Sequence, residues 1–198
     1  NNYVAETNDL FMKKYCPKFF VLAGSASWNT DGTIILGQAE GGRKILLYQI
    51  NDFRIKGMDG YEPEDSFNVK QMFHTIQHEF AHILHQNVMY PQEFKQVSVG
   101  TYTSNWNNVS DEAAHELGFI SAYAMSSTDD DFVEMASIML VEGRAWFDVM
   151  VNNLTDAASQ TKLRQKEAIV VNYFKDVWNI NFYSLQARTR TSITNLLK

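Results

Sequence analysis

His78-Glu79-Phe80-Ala81-His82 is the stretch on which the reading of this chain turns. On an α-helix, residues four apart share a face, so the two imidazoles of an HExxH segment can reach one metal ion. Glu79 directly follows the first histidine and stands about a quarter-turn away. There its carboxylate can hold a water instead of binding the ion. The spacing implies a zinc hydrolase centre, and the rest of the chain has to supply a third ligand and a substrate groove.

The segment sits in a helix predicted over residues 68–86, with Asn68 as N-cap and Gln71 in capping-box position. At about 100° per residue, Val69, Met72, Phe73, Ile76, Phe80, Ile83 and Leu84 gather on one side. His74, His78, His82 and His85 gather on the other. The apolar side must enter the core, so the histidine stripe faces a cleft or another helix. His74, His78 and His82 span about 12 Å of rise and cannot converge on one ion. His85 lies beyond the metal. Both outer histidines are read as supporting or groove-lining groups. The extended metzincin signature is missing, since Val88 stands where its third histidine would be.

Around this helix the chain reads as α+β, strands first and helices after. Short strands are predicted at residues 19–23, 33–36 and 44–50, with turn chemistry at Asn29-Thr30-Asp31-Gly32 and Gly41-Gly42. Residues 51–67 read as loop and 97–106 as extended chain. Short helices are expected over 92–96, behind Pro91, and after a Ser110-Asp111 cap. Longer ones are expected over 129–152, 156–178 and Phe182–Leu197. No repeat or linker divides the 198 residues, and residues 1–198 are read as one domain.

Composition narrows the function classes. A net charge of −6 argues against a nucleic-acid surface. No apolar run approaches membrane-spanning length. Cys16 is the one cysteine, which rules out a disulfide framework and a cysteine zinc site. No signal peptide is visible.

A third ligand should be a carboxylate on a later helix. Thr128 is read as the cap of a helix whose first turn holds Asp129, Asp130 and Asp131. Acidic residues favour helix N-termini without any metal, so those three need no further reason. Glu134 does, because it lies in an otherwise apolar helix where an unpaired carboxylate would be costly. Asp130 and Glu134 form an i, i+4 pair. One can bind zinc while the other accepts the N–H of a ligating histidine, and the residues alone leave open which does which.

Ala39-Glu40-Gly41-Gly42, residues 78–86 (HEFAHILHQ), Gly118-Phe119-Ile120-Ser121-Ala122-Tyr123-Ala124 and Asp130-Asp131-Phe132-Val133-Glu134 come in an order that resembles a known family. It is the substrate-import-associated zinc metallohydrolase lipoproteins of Bacteroidetes-type bacteria, which are zinc-binding metallopeptidases. The resemblance runs from about Tyr15 to the C-terminus. It implies a zincin-like gluzincin fold with one Zn2+ per chain. It also implies an extracytoplasmic location, in the periplasm or at the outer-membrane surface. The tether would be a lipid on a cysteine upstream of Asn1, and the setting would be beside outer-membrane glycan-uptake systems. A more distant likeness is to the lethal-factor type of gluzincin, where a tyrosine precedes an E-F-F-A-E segment by seven residues. Tyr123 precedes Asp130 by the same interval. That alignment implies Asp130 as third ligand, Glu134 as the support of a zinc histidine and Tyr123 as oxyanion partner. The departure is Asp130 in place of the usual glutamate, which shortens its reach by about 1.5 Å.

Two functions follow as expectations. The first is a metallopeptidase that cleaves peptide bonds with a zinc-activated water and Glu79 as general base, its substrate paired to a cleft-edge strand at 44–50. The second is a non-proteolytic zinc-containing accessory or binding lipoprotein of an outer-membrane nutrient-uptake system. The presence of Glu79 favours the first. Trp28, Tyr48, Trp106 and Trp146 are read as core or groove aromatics.

Overall fold

The structure, a computed structural model, describes residues 2–30 and 32–198. Two short helices come first, α1 (Asn2–Glu6) and α2 (Asp9–Tyr15), the second capped by Asn8. The sequence reading had begun with strands. Five strands follow: β1 (Phe19–Leu22), β2 (Ser27–Trp28), β3 (Ile34–Ile35), β4 (Gly37–Glu40) and β5 (Lys44–Leu47). Part of the turn read at Asn29–Gly32 lies outside the described residues, at Asp31, but Gly32 N–H closes back on the Asn29 carbonyl at 3.0 Å.

The strand order corrects the sequence reading. β5 is the central strand of a three-stranded sheet in the order β1-β5-β4. It pairs in parallel with β1 (Phe20 opposite Ile45) and antiparallel with β4 (Ala39 opposite Ile45). Both its edges are therefore occupied, and it cannot be the strand that receives substrate at 44–50. The outer strands are β1 and β4; β4, which packs on α3, was not foreseen. Ile45 and Leu47 on β5 are buried, as alternation demands of a strand with one face on the core.

The helical layer is α3 (Asp65–Asn87), α4 (Gln92–Val97), α5 (Asp111–His115), α6 (Thr128–Glu142), α7 (Arg144–Asn152), α8 (Ala157–Trp178) and α9 (Phe182–Leu197). α3 starts one turn earlier than expected. Asn68 is inside it, its side-chain amide donating to the Asp52 carbonyl, so it is no N-cap. Residues 97–106 hold no strand: Val97 ends α4, 98–100 and 104–105 are turns, 101–103 are irregular, and Trp106 opens a 3-10 turn. The helix read over 129–152 is two helices, because Gly143 at φ 87° adopts a conformation that L side chains disfavour. Phe132, Met135 and Met139 of α6 are fully buried with Phe147, Phe174 and Leu185 of α7, α8 and α9. α6 is thus the central helix, packed on α3 on one side and on α8 and α9 on the other. That position brings its polar residues against the histidine stripe.

Candidate metal centre

α3 and α6 lie against one another, with the loop before α6 closing over the contact. From α3 come His74, His78, Glu79, His82 and His85; from α6 come Asp130 and Glu134; the loop supplies Ser121 and Tyr123. The Nε2 atoms of His78 and His82 face each other at 3.1 Å. Asp130 Oδ1 lies 3.4 Å from His82 Nε2 and 3.9 Å from His78 Nε2.

Each of these three groups is tied from behind. His78 Nδ1 meets Glu134 Oε1 at 2.8 Å. Burial works to raise the Glu134 carboxyl, but the charge and hydrogen bond of His74 and the bond to His78 outweigh it and hold it well below the usual range. An ionised carboxylate can only accept, so the His78 proton sits on Nδ1 and its Nε2 carries a lone pair. His82 Nδ1 meets His85 Nε2 at 2.9 Å. Burial, with the neighbouring His82, lowers His85 to about 4, so it is neutral near pH 7 and can accept from His82. The tautomer with the His82 proton on Nδ1, donating to His85, is the one that frees the second Nε2 for a metal. Asp130 Oδ2 accepts from the hydroxyls of Ser126 (2.8 Å) and Ser127 (2.7 Å), which turns Oδ1 toward the imidazoles. Burial opposes ionisation of Asp130, but the His82 and serine bonds prevail and hold it at about 2.

The donor set fits zinc. Ligands about 2.0–2.1 Å from a tetrahedral ion stand about 3.3 Å from one another. The three edges found here, 3.1, 3.4 and 3.9 Å, bracket that separation. Two nitrogens and one carboxylate oxygen are also donors that zinc accepts.

Glu134 is on the opposite, Nδ1 side of His78 and is fully engaged. Oε1 also accepts from His74 Nε2 at 2.7 Å, and Oε2 accepts from Ser121 Oγ at 2.6 Å. Burial works against protonation of His74, but Glu134 overrides it and the net shift is upward. His74, His78 and Glu134 could themselves hold an ion. Their spacings of 2.7 and 2.8 Å are those of charge-assisted hydrogen bonds.

Glu79 is buried and sits between α3 and β4. Gly37 of β4 comes so close that a Cβ there would meet the Thr75 methyl and stand 3.3 Å from Glu79 Oε1. Only glycine allows this approach. Tyr123 lies across the cleft, its ring centroid 5.7 Å from that of His78 and propped by Trp106 at 4.9 Å. Burial and then the charges of Asp130, Glu134 and Glu79 push its phenol upward, so it keeps its proton.

Sequence reasoning missed several supports. Ser127, not Thr128, caps α6, accepting from Asp130 N–H. The Ser-x-x-Asp spacing was the available signal. Ser121 and Ser126 carried none. Trp28, read as a core or groove aromatic, is 62% exposed.

A helix with two zinc-spaced imidazoles, a facing carboxylate on a second helix and a small sheet beside them define a zinc-binding metallopeptidase class. The chain belongs to that family: residues 1–183 match the family described as "Putative zinc-binding metallo-peptidase". Among solved structures it is similar to a crystal structure titled as a putative zinc-binding metallo-peptidase, from Bacteroides caccae, at 2.10 Å resolution. The two share 31% identity with a TM-score of 0.76, over 98% of this chain and 73% of that one. No protein of curated function matches the chain.

Proposed function

We propose that the protein is a zinc-dependent peptidase in which His78, His82 and Asp130 hold the ion, Glu79 is the general base and Tyr123 the oxyanion donor. The observation that carries this reading is the converging triangle of two Nε2 atoms and Oδ1, each group anchored at its far side. Glu134 is the support of His78, on the geometry of its two oxygens.

Zinc held there supplies Lewis-acid polarisation of the substrate carbonyl and of the attacking water. The protein's own groups do the rest. β4, the sheet's outer strand beside Glu79, offers backbone groups to an extended peptide. The Glu79 carboxylate takes a proton from water and passes it to the leaving amine. Tyr123, protonated across the working range, donates to the carbonyl oxygen as negative charge develops there. Burial of His78 and Glu79 lowers the local dielectric and strengthens each of these interactions.

The placement we propose is extracytoplasmic, lipid-tethered beside nutrient-uptake components, and its support is the resemblance of the motifs. Among the described residues, no helix is long and apolar enough to cross a membrane.

The test is zinc content and casein cleavage for wild type, Glu79→Gln and Asp130→Ala. Wild type should bind one zinc and cleave; Glu79→Gln should bind equally and not cleave; Asp130→Ala should lose the zinc. Equal zinc with no cleavage by either of the first two would favour the accessory-protein reading.

A further inference from the structure

We infer that a buried trio outside the cleft, Asp131, Lys166 and Tyr102, fixes where the Tyr123 hydroxyl stands relative to the metal ligands. This rests on the peptidase reading above, in which Tyr123 is the oxyanion donor. Tyr123 rides on the segment between α5 and α6. From Phe119 to Met125 that segment is buried except at Tyr123 itself, which is 39% exposed. A side chain at such a crest takes its position from the backbone beneath it, so whatever holds residues 118–125 also sets the hydroxyl.

One carboxylate holds both ends of the segment. Lys166 Nζ, on α8, donates to the Gly118 carbonyl at 2.8 Å and pairs with Asp131 Oδ2 at 2.6 Å. The same Oδ2 accepts from the Tyr102 hydroxyl at 3.0 Å. Beside Tyr102, the Thr103 N–H donates to the Met125 carbonyl at 2.9 Å. Phe119 closes the arrangement, its ring centroid 4.1 Å from Lys166 Nζ and 5.5 Å from that of Tyr102. Asp131 directly follows Asp130 on α6. The helix that carries a proposed zinc ligand therefore also grips the start and the end of the segment that carries Tyr123.

Core stability gives no reason for this arrangement. Lys166 and Asp131 are both fully buried, and a buried ion pair is often no more stabilising than apolar side chains of the same volume. Asp131 Oδ1 has no partner among the described residues, which adds to the cost. What apolar side chains cannot supply is direction. Hydrogen bonds fix the carbonyls of Gly118 and Met125 against α6, and a displacement of about 1 Å at a catalytic group can cost on the order of 10²-fold in rate. Asp131, Lys166 and Tyr102 are thus positioning residues that act through Tyr123.

The test compares wild type, Tyr102→Phe and the double variant Lys166→Met with Asp131→Asn, which strands no charge, each also on a Tyr123→Phe background. Tyr102→Phe keeps the ring against Phe119, so it should bind zinc as wild type does and lower kcat roughly tenfold with KM unchanged. The double variant should lower kcat by about 10–100-fold at undiminished zinc content. With Tyr123→Phe already present, neither change should cost more than about twofold, because both act through the missing hydroxyl. Full additivity there, or undiminished kcat in Tyr123→Phe alone, overturns the inference and leaves cleavage itself intact. Hydrogen exchange on the metal-free protein gives a readout apart from activity. In both variants the amides of 118–125 should exchange about tenfold faster or more, while α9 stays as protected as in wild type. Should the double variant not fold, Tyr102→Phe decides the matter by itself. If wild type cleaves no peptide, the peptidase reading falls and the part given to Tyr123 falls with it. Exchange then still decides whether the trio holds the segment, since unchanged rates at 118–125 would remove that too.

Discussion

Replacing Glu134 tests the arrangement most directly, because it touches no proposed ligand atom facing the ion yet holds the centre together. Its carboxylate is 2% exposed and accepts from His74 at 2.7 Å, His78 at 2.8 Å and Ser121 at 2.6 Å. Removing one partner of a buried charged cluster costs about 3–5 kcal/mol. For a chain of this size each kcal/mol moves Tm by about 2–4 °C, so Glu134→Ala should melt roughly 6–20 °C lower in metal-free form. Loss of a group that orients a zinc histidine costs about 10–100-fold in metal affinity. Glu134→Gln keeps the shape and an acceptor oxygen but removes the charge, so it should destabilise less while still weakening zinc by about tenfold. Differential scanning fluorimetry and zinc titration against a chelator give both numbers. A Glu134→Ala protein with wild-type zinc affinity would refute the role argued for this residue. The pH dependence carries the same signature. The depressed Glu134 carboxyl adds stability that is present above its unfolded value near 4.5 and is lost as pH falls below it. The raised His74 adds stability present below its unfolded value of 6.5, lost as pH rises through the folded one. The Glu134–His74 pair should therefore contribute most to the metal-free protein between about pH 4.5 and 6.5, and Glu134→Gln should melt furthest below wild type in that window, as thermal melts across pH would record.

Further outcomes follow from single contacts. Gly37→Val should cut cleavage strongly and cost about 1–3 kcal/mol, because the new side chain meets Thr75 and Glu79; urea denaturation and casein assay measure the two effects. Lys166→Met should lower Tm by roughly 10 °C, since it strands Asp131, its fully buried partner at 2.6 Å. Adding Asp131→Asn to Lys166→Met should restore much of that loss, which a melt of the double variant decides. His85→Phe should weaken zinc by about tenfold through the lost hydrogen bond to His82 Nδ1, read by the same chelator competition.

What could be read from sequence alone was local and periodic. The four-residue spacing of His78 and His82, the apolar stripe of α3 and the run of α9 at Phe182–Leu197 are set by helix geometry within a few turns. The α+β character showed in the same way. Local signals were also overlooked, as Asn8 before α2 and Ser127 before α6 show. Tertiary structure decided the relations between distant segments. Which strand is outermost depends on β1 pairing in parallel with β5 across more than twenty residues, and no pattern within 44–50 records that partner. Asp130 and Glu134 are one turn apart on α6 and chemically alike. Only the packing of α6 on α3 puts one on the Nε2 side of His78 and the other on its Nδ1 side. A helix's sequence specifies its faces, but the neighbour each face meets is chosen by burial across the whole chain.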